Sequence, residues 1–207
     1  MSRARRPGQK VIGRLTLYRR ELRELLGGQA AVFSHDLAER VGVSAAQLRR
    51  DIMHVGYSGR PNRGYEVPKL LESLTSYLDA DTLRRCALVG VGNLGRALLA
   101  YFSTRDANVK LVAAFERDPK VVGRTLHGCP ILPDEDLEDA IGELMITMAV
   151  LAVPREDAKA LAHRLVAAGV TGILNFSPAN LGLTDRIYVE NVDLTRALEV
   201  VGSFCGR

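Results

Sequence analysis

No apolar run in this 207-residue sequence approaches the roughly 20 residues that a membrane-spanning helix needs. The basic start, residues 1–7, is not followed by the apolar segment of a signal peptide, so a cytoplasmic protein with no membrane partner is expected. Cysteine is scarce. Cys86, Cys129 and Cys205 form no CxxC pair and no zinc-type spacing, so no metal site is expected. Buried or incidental thiols are the first expectation for them, and a cysteine redox switch is the lesser alternative. Internal repeats and low-complexity segments are missing as well.

What remains is a globular composition, 47% hydrophobic and 25% charged, long enough for one or two domains. The net charge of +4 is unevenly spread. Residues 1–63 hold 13 Lys/Arg against 5 Asp/Glu, a balance of +8, and residues 64–207 hold 15 against 19, a balance of −4. A basic front on an acidic back is the electrostatic footprint of a nucleic-acid-binding module fused to something else. A solvated basic surface is the plainer alternative.

The first third reads as helices. Apolar spacing (Leu15, Tyr18, Leu22, Leu25, Leu26) predicts a helix over 11–26, stopped by Gly27-Gly28. A short helix over 34–40 has Ser34 as its expected N-cap. A second, over 44–55, opens on Ser44 with Gln47 three residues on, the pattern of a capping box. Two short helices around the Gly42 turn are a helix-turn-helix pattern. The turn-rich, aromatic-flanked stretch 56–67 reads as a hairpin or wing, and 68–78 as a helix. On a helical wheel Ala45, Leu48, Ile52 and Val55 face the core. Ala46, Gln47, Arg50, Met53 and His54 lie opposite, flanked by Arg49. Such a helix places Arg50 and Gln47 toward base edges of double-stranded DNA, with Arg49 and His54 beside them. Ser44 and the helix N-terminus suit a phosphate, and Arg60 and Arg63 on the wing suit the backbone or minor groove. The alternative is a small helical domain with an exposed basic helix.

Beyond a polar break at Asp79-Ala-Asp81, strands alternate with helices. Strands are expected over 83–89, 110–115, 146–153, 172–176 and 187–189, and helices over 94–102, 134–141 and 155–168. This order predicts an α/β fold with a Rossmann-like parallel sheet, following an N-terminal winged helix-turn-helix. Gly90-Val91-Gly92-Asn93-Leu94-Gly95 is a GxGxxG that leaves a strand and opens a helix, with Glu116 at the end of the next strand and Asp118 two residues beyond. In that context Gly90 makes the turn, Gly92 admits a pyrophosphate, Gly95 allows close packing, and Glu116 accepts from ribose hydroxyls. This favours NAD(H), while Arg117 keeps NADP open. Loops carrying Val153 and Pro154, Asn175, and residues 190–193 are candidates to surround the nicotinamide. No convincing acid–base pair for hydride transfer is found. His127 and His163 lie outside these loops, and Tyr65 with Lys69 precedes the glycine motif and spans Pro68. Binding without turnover is expected.

Gln47-Leu-Arg-Arg-Asp51, Gly59-Arg60, Arg63-Gly-Tyr65, Val89-Gly-Val-Gly-Asn-Leu-Gly95, Ala113-Ala-Phe115, Asp118-Pro119, Val153-Pro-Arg155, Gly172-Ile-Leu-Asn-Phe176 and Glu190-Asn-Val-Asp193 together resemble the redox-sensing transcriptional repressor family Rex over nearly the whole chain. The resemblance implies a homodimer that represses respiratory or fermentative genes, holding operator DNA when NADH is low and releasing it as NADH/NAD+ rises. It also implies a switching Arg–Tyr–Asp network, which by position falls on Arg20, Tyr101 and Asp193. The family usually ends in a long helix that swaps into the partner subunit. Here a shorter helix over 194–201 is expected, with Leu194, Leu198 and Val201 on one face. The family usually has Asp where Glu116 stands. The expected organisation is a DNA-binding domain over 1–80, an NAD(H) domain over 81–192 and a C-terminal dimer segment over 193–207. An NAD-dependent oxidoreductase with a basic N-terminal extension, and a CoA- or nucleotide-binding regulator, are the rival readings.

Overall fold

The structure, a computed structural model, describes residues 8–60, 62–79, 83–104 and 108–205. Residues 1–7, and Ala80 and Asp81 of the expected polar break, lie outside them. The chain divides into two compact units, Met1–Thr82 and Leu83–Arg207.

The first unit runs α1 (Gln9–Leu25), β1 (Ala31–Val32), α2 (Ser34–Arg40), α3 (Ala45–His54), β2 (Tyr65–Glu66) and α4 (Val67–Asp79). On α1, Leu15, Tyr18, Leu22 and Leu25 recur at helical spacing and are all buried. They pack with Leu37 of α2, Leu48 and Ile52 of α3, and Leu70 and Leu74 of α4. Burying each such side chain contributes about 1.5–3 kcal/mol.

Three local details differ from the sequence reading. Ser34 is the first residue of α2 and not its cap. Phe33 holds the cap position, and the Ser34 hydroxyl accepts from Arg49 Nη1 at 2.8 Å. Ser44 does cap α3, accepting from the Gln47 amide at 3.2 Å, but Gln47 sends its side chain to Asp51 and Arg50, so the return half of the capping box is not made. The expected hairpin shrinks to a single bridge between Arg60 and Gly64. Its outgoing strand β2 pairs with β1 instead, Val32 opposite Tyr65. A two-residue strand carries no readable periodicity, and buried Val32 and Tyr65 supply the packing that decides the pairing.

Asp51 was unforeseen. It lies on the buried side of α3, 4% exposed. Its carboxylate accepts from Arg14 Nε at 2.6 Å and Nη2 at 2.8 Å, from the Tyr18 hydroxyl at 2.9 Å and from Gln47 Nε2 at 2.8 Å. A carboxylate offers about four acceptor sites, so the group is saturated. Burial pushes the Asp51 carboxyl up, but the bonds from Arg14, Tyr18 and Gln47 outweigh it and hold the group below its ordinary value.

The second unit contains a seven-stranded sheet in the order β5-β6-β4-β3-β7-β8-β9. The strands are β3 (Arg84–Val89), β4 (Val109–Glu116), β5 (Thr125–Leu126), β6 (Cys129–Pro133), β7 (Met148–Leu151), β8 (Gly172–Asn175) and β9 (Tyr188–Asn191). All pairings are parallel except that of β5 with β6. The order is doubly wound, and its switch point falls between β3 and β7.

Alternation sends Ala87 and Val89 to one core with Leu137 and Ile141 of α6 (Leu137–Glu143) and Ala158, Ala162 and Leu165 of α7 (Arg155–Ala167). Cys86 and Leu88 go to the other with Leu99 of α5 (Asn93–Ser103). Burial on both faces is why the central strands read as unbroken apolar runs. β5 and β6 were not expected. They are joined by His127 and Gly128, both at positive φ, a two-residue turn that lacks the usual Asn-Gly signature. The acidic helix expected over 134–141 begins as a 3-10 turn, Asp134–Asp136, before α6. The last helix, α8 (Leu194–Phe204), runs three residues past the expected end. Cys86 and Cys129 are buried, which pushes their thiols up to about 12 and about 11. Neutral thiols are poor nucleophiles, which disfavours a redox switch at these two positions.

Because the folded-state pKa of Asp51 is depressed, its contribution to stability is present above the unfolded value, about 3.9, and is lost as pH falls through the folded one. Asp51→Asn should cost about 1.5–3 kcal/mol at pH 7 and flatten the acid limb of unfolding of the first unit. Amide exchange of α1 in the full chain, followed from pH 7 to 3, measures both. Identical acid limbs in the two proteins would contradict the assignment.

Candidate functional site

The glycine loop lies at the switch point of the sheet. Gly90 has φ +93°, and a Cβ there would lie 2.5 Å from the Ala152 carbonyl oxygen beyond β7. A Cβ at Gly95 would run into the Gly90 carbonyl oxygen. Gly92 differs from both, since a Cβ there meets nothing within 4 Å. Two glycines are thus demanded by the fold, and the third keeps space open in front of α5. Gly92 caps α5 without a side-chain bond, so the first-turn amides of Asn93, Leu94 and Gly95 face that space uncapped by any side chain. Uncapped amides with their helix dipole suit a pyrophosphate. Arg96 Nε donates to the Val91 carbonyl at 3.0 Å and braces the loop, a role the sequence reading missed.

Glu116, at the end of β4, sits where the fingerprint places its acid. Its Oε2 accepts from the Val91 amide at 2.7 Å, and its Oε1 from the amides of Arg117 at 2.8 Å and Asp118 at 3.1 Å. Three of about four acceptor sites are filled, and the remainder is available to a ribose hydroxyl. The Asp118 carboxylate accepts from the Lys120 amide at 2.9 Å, and Arg117 pairs with Asp157 of α7 at 3.1 Å.

Val153 and Pro154 lead from β7 into α7 at the same edge. Asn175 is buried. Its Nδ2 donates to the Ala179 carbonyl and to Asn191 Oδ1, and its Oδ1 accepts from the Ser177 amide. Ser177 Oγ in turn donates to the Val153 carbonyl at 2.5 Å. Asn175 and Ser177 together therefore tie the chain after β7, the chain after β8 and the end of β9 to one another. The Ser177 link was not visible in the sequence, because a serine in a turn is unremarkable there.

In the first unit, Arg49 and Arg50 are exposed on α3, Arg49 held by Ser34 and Arg50 Nη2 donating to Gln47 Oε1 at 3.0 Å. Ser44 is exposed at the helix start. His54 stacks edge-on to Tyr77 of α4 at 6.2 Å, at the far end of α3. Arg60 approaches Glu66 at 3.7 Å, and Arg63 is exposed in the same turn. Exposed pairs of this kind contribute little, so these guanidiniums are easily redirected to a phosphate.

Arg20 is exposed beside Glu21. Tyr101 is half exposed and edge-on to Phe102. Asp193 caps α8, its Oδ1 accepting from the Arg196 amide at 2.8 Å. Among the described residues no three His, Cys, Asp or Glu side chains are grouped to hold a metal, and no helix is long and apolar enough to cross a membrane.

A winged helix-turn-helix with two exposed arginines, and a doubly wound sheet with a glycine cradle at its switch point, define the class: a DNA-binding regulator carrying a nucleotide domain. Comparison with known proteins agrees. The family described as putative DNA-binding protein N-terminus matches residues 8–52, and the CoA binding domain family matches residues 81–179. The redox-sensing transcriptional repressor Rex of Lactobacillus acidophilus is 40% identical over 189 residues, 91% of this chain and 90% of its own. That of Listeria welshimeri is 38% identical over 194 residues, covering 93% and 90%. A Rex-family repressor, RSP, has been solved with NAD+ and operator DNA (TM-score 0.88, 33% identity, 97% of this chain and 93% of that one). Its structure with NADH gives a TM-score of 0.84 at 33% identity, covering 97% and 95%. The chain belongs to the Rex family of redox-sensing transcriptional repressors.

The three glycines should separate by substitution. Gly92→Ala should leave the melting temperature unchanged within a degree or two and weaken NADH binding at least about tenfold. Gly90→Ala should cost at least about 1–3 kcal/mol of stability from its positive φ and the Ala152 clash. Calorimetry beside NADH titration reads both. Equal destabilisation by the two changes would contradict the open cradle.

Proposed function

We propose that this chain is a transcriptional repressor whose hold on double-stranded operator DNA weakens when NADH occupies the glycine cradle. The observation that carries the reading is the open space at Gly92, framed by two fold-required glycines and Glu116, in a chain matched nearly end to end by Rex repressors. The amides of Gly92, Asn93 and Leu94 hold the pyrophosphate, with Gly90, Val91 and Gly95 shaping the turn. Glu116 takes the adenine ribose, with Asp118 beside it. Val153, Pro154 and Asn175 border the nicotinamide end. The nicotinamide ring, cationic when oxidised and neutral when reduced, supplies the redox signal.

Ser44, Gln47, Arg49, Arg50, His54, Arg60 and Arg63 form the DNA-facing set, the last two for phosphates or the minor groove. A homodimer is proposed through α8, whose Leu194, Leu198, Val201 and Phe204 are all exposed. The protein acts in the cytoplasm, as a regulator and not as an enzyme.

The CoA-binding family match favours a second reading, a CoA-responsive regulator. Physical chemistry weighs against it. CoA carries a phosphate on its adenosine ribose, and a carboxylate at Glu116 repels a phosphorylated ribose, as it does that of NADP(H).

Operator binding by the full chain, titrated separately with NADH, NAD+ and CoA, tests the proposal. NADH should weaken binding more than NAD+ does, by about 5–150-fold, the usual range of allosteric coupling, and CoA should do nothing. Equal operator affinity with and without saturating NADH would end the sensor reading. A response to CoA alone would favour the second. Sustained NADH oxidation with an added 2-oxo acid would favour an oxidoreductase.

Arg20, Tyr101 and Asp193 are proposed to transmit the signal. Asp193 also caps α8, so Asp193→Ser separates its two roles, because serine keeps a cap and removes the charge. A shrunken NADH effect at unchanged melting temperature is expected. A full NADH effect in Asp193→Ser would leave Asp193 as a cap.

A further inference from the structure

Gln47 occupies the base-facing side of α3 by its wheel position, yet its side chain is already committed at both ends. Nε2 donates to Asp51 Oδ1 at 2.8 Å, and Oε1 accepts from Arg50 Nη2 at 3.0 Å. The amide orientation is fixed by chemistry. An ionised carboxylate only accepts, so nitrogen must face Asp51, and a guanidinium only donates, so oxygen must face Arg50.

A glutamine that reads adenine uses both of these atoms at once. Turning them to a base would take a donor from a carboxylate that is 4% exposed and would release Arg50 from the Gln47 oxygen that holds it. A buried charge deprived of a partner is costly. The path from the core outward is continuous: Arg14 and Tyr18 of α1 hold Asp51, Asp51 holds Gln47, and Gln47 holds Arg50. Arg50 is a long, rotamer-rich side chain, and holding it before contact lowers the ordering cost of binding.

We infer that Gln47 is a positioning residue, anchored on Asp51, which presents Arg50 to the operator and does not itself read a base. The inference rests on the reading of α3 as the operator-facing helix.

The test uses the full chain with Gln47→Met, Arg50→Ala and the double variant. Each is titrated with operator and with operators substituted at single base pairs. Methionine keeps the length and helix propensity of glutamine and removes both bonds. Melting curves and NADH binding check the fold. Gln47→Met is expected to weaken operator binding about 3–10-fold and to lose discrimination at the same base pair as Arg50→Ala. The double variant should bind within twofold of Arg50→Ala alone. In the free protein, the Arg50 15Nε order parameter should fall in Gln47→Met, which a merely structural role would not produce.

Discrimination lost at a base pair where Arg50→Ala keeps it, or additive losses in the double variant, would make Gln47 a base reader and overturn the inference. Unchanged affinity and discrimination in Gln47→Met would overturn it as well. If Gln47→Met melts far below the parent, the order parameter is read in Gln47→Leu, and an unchanged value there counts against positioning. Unchanged operator binding by Arg50→Ala would instead show that α3 does not face the operator, a failure of the underlying reading that is seen separately.

Discussion

A carboxylate buried on the inner side of α3 is the interaction on which the first unit is organised. Asp51 takes two bonds from Arg14, one from the Tyr18 hydroxyl and one from Gln47. Burial alone would disfavour the charge; four donors to four acceptor sites make it tolerable. The result fixes the rotation of α3 about its own axis relative to α1, which apolar packing of Leu48 and Ile52 alone would leave looser. It also reaches the surface, since Gln47 relays the constraint to Arg50. One chain of hydrogen bonds thus runs from the buried carboxylate to an exposed guanidinium.

In the second unit the constraint is backbone against backbone. The loop after β3 approaches the loop after β7 so closely that only glycine fits at position 90, and the first turn of α5 approaches that loop so closely that only glycine fits at 95. These approaches aim the uncapped amides of α5 at the open space by Gly92. Glu116 closes the arrangement from β4, its length letting one carboxylate hold the amides of Val91, Arg117 and Asp118. Asn175 and Ser177 tie the remaining loops to the same edge. Rigid scaffolding around an open centre is what a ligand-sensing site requires.

Most of this was legible in the sequence because its signals are periodic or compositional. Helices α1, α4, α5 and α7 and the central strands showed as apolar spacings and runs, and the glycine fingerprint carried its own geometry. The two-residue strands β1, β2 and β5 were not legible, since two residues display no period and their pairing is decided by partners distant in the chain. Asp51 was hidden for a related reason: a charged residue on a basic helix reads as solvent-facing until Arg14 and Tyr18 are seen beneath it. Helical wheels assign faces by polarity, and a saturated buried carboxylate is the case in which polarity misleads. Gln47 reads from the wheel as a base-facing side chain, and the wheel gives no sign that both ends of its amide are occupied by Asp51 and Arg50.

If operator and NADH compete through one conformational equilibrium, their effects on each other must be equal in free energy, whatever route the coupling takes through the protein. The most direct measurement is the dissociation constant of NADH for the full chain, without DNA and with saturating operator. The account predicts that operator weakens NADH binding by the same factor by which NADH weakens operator binding. An NADH dissociation constant unchanged by saturating operator would contradict it.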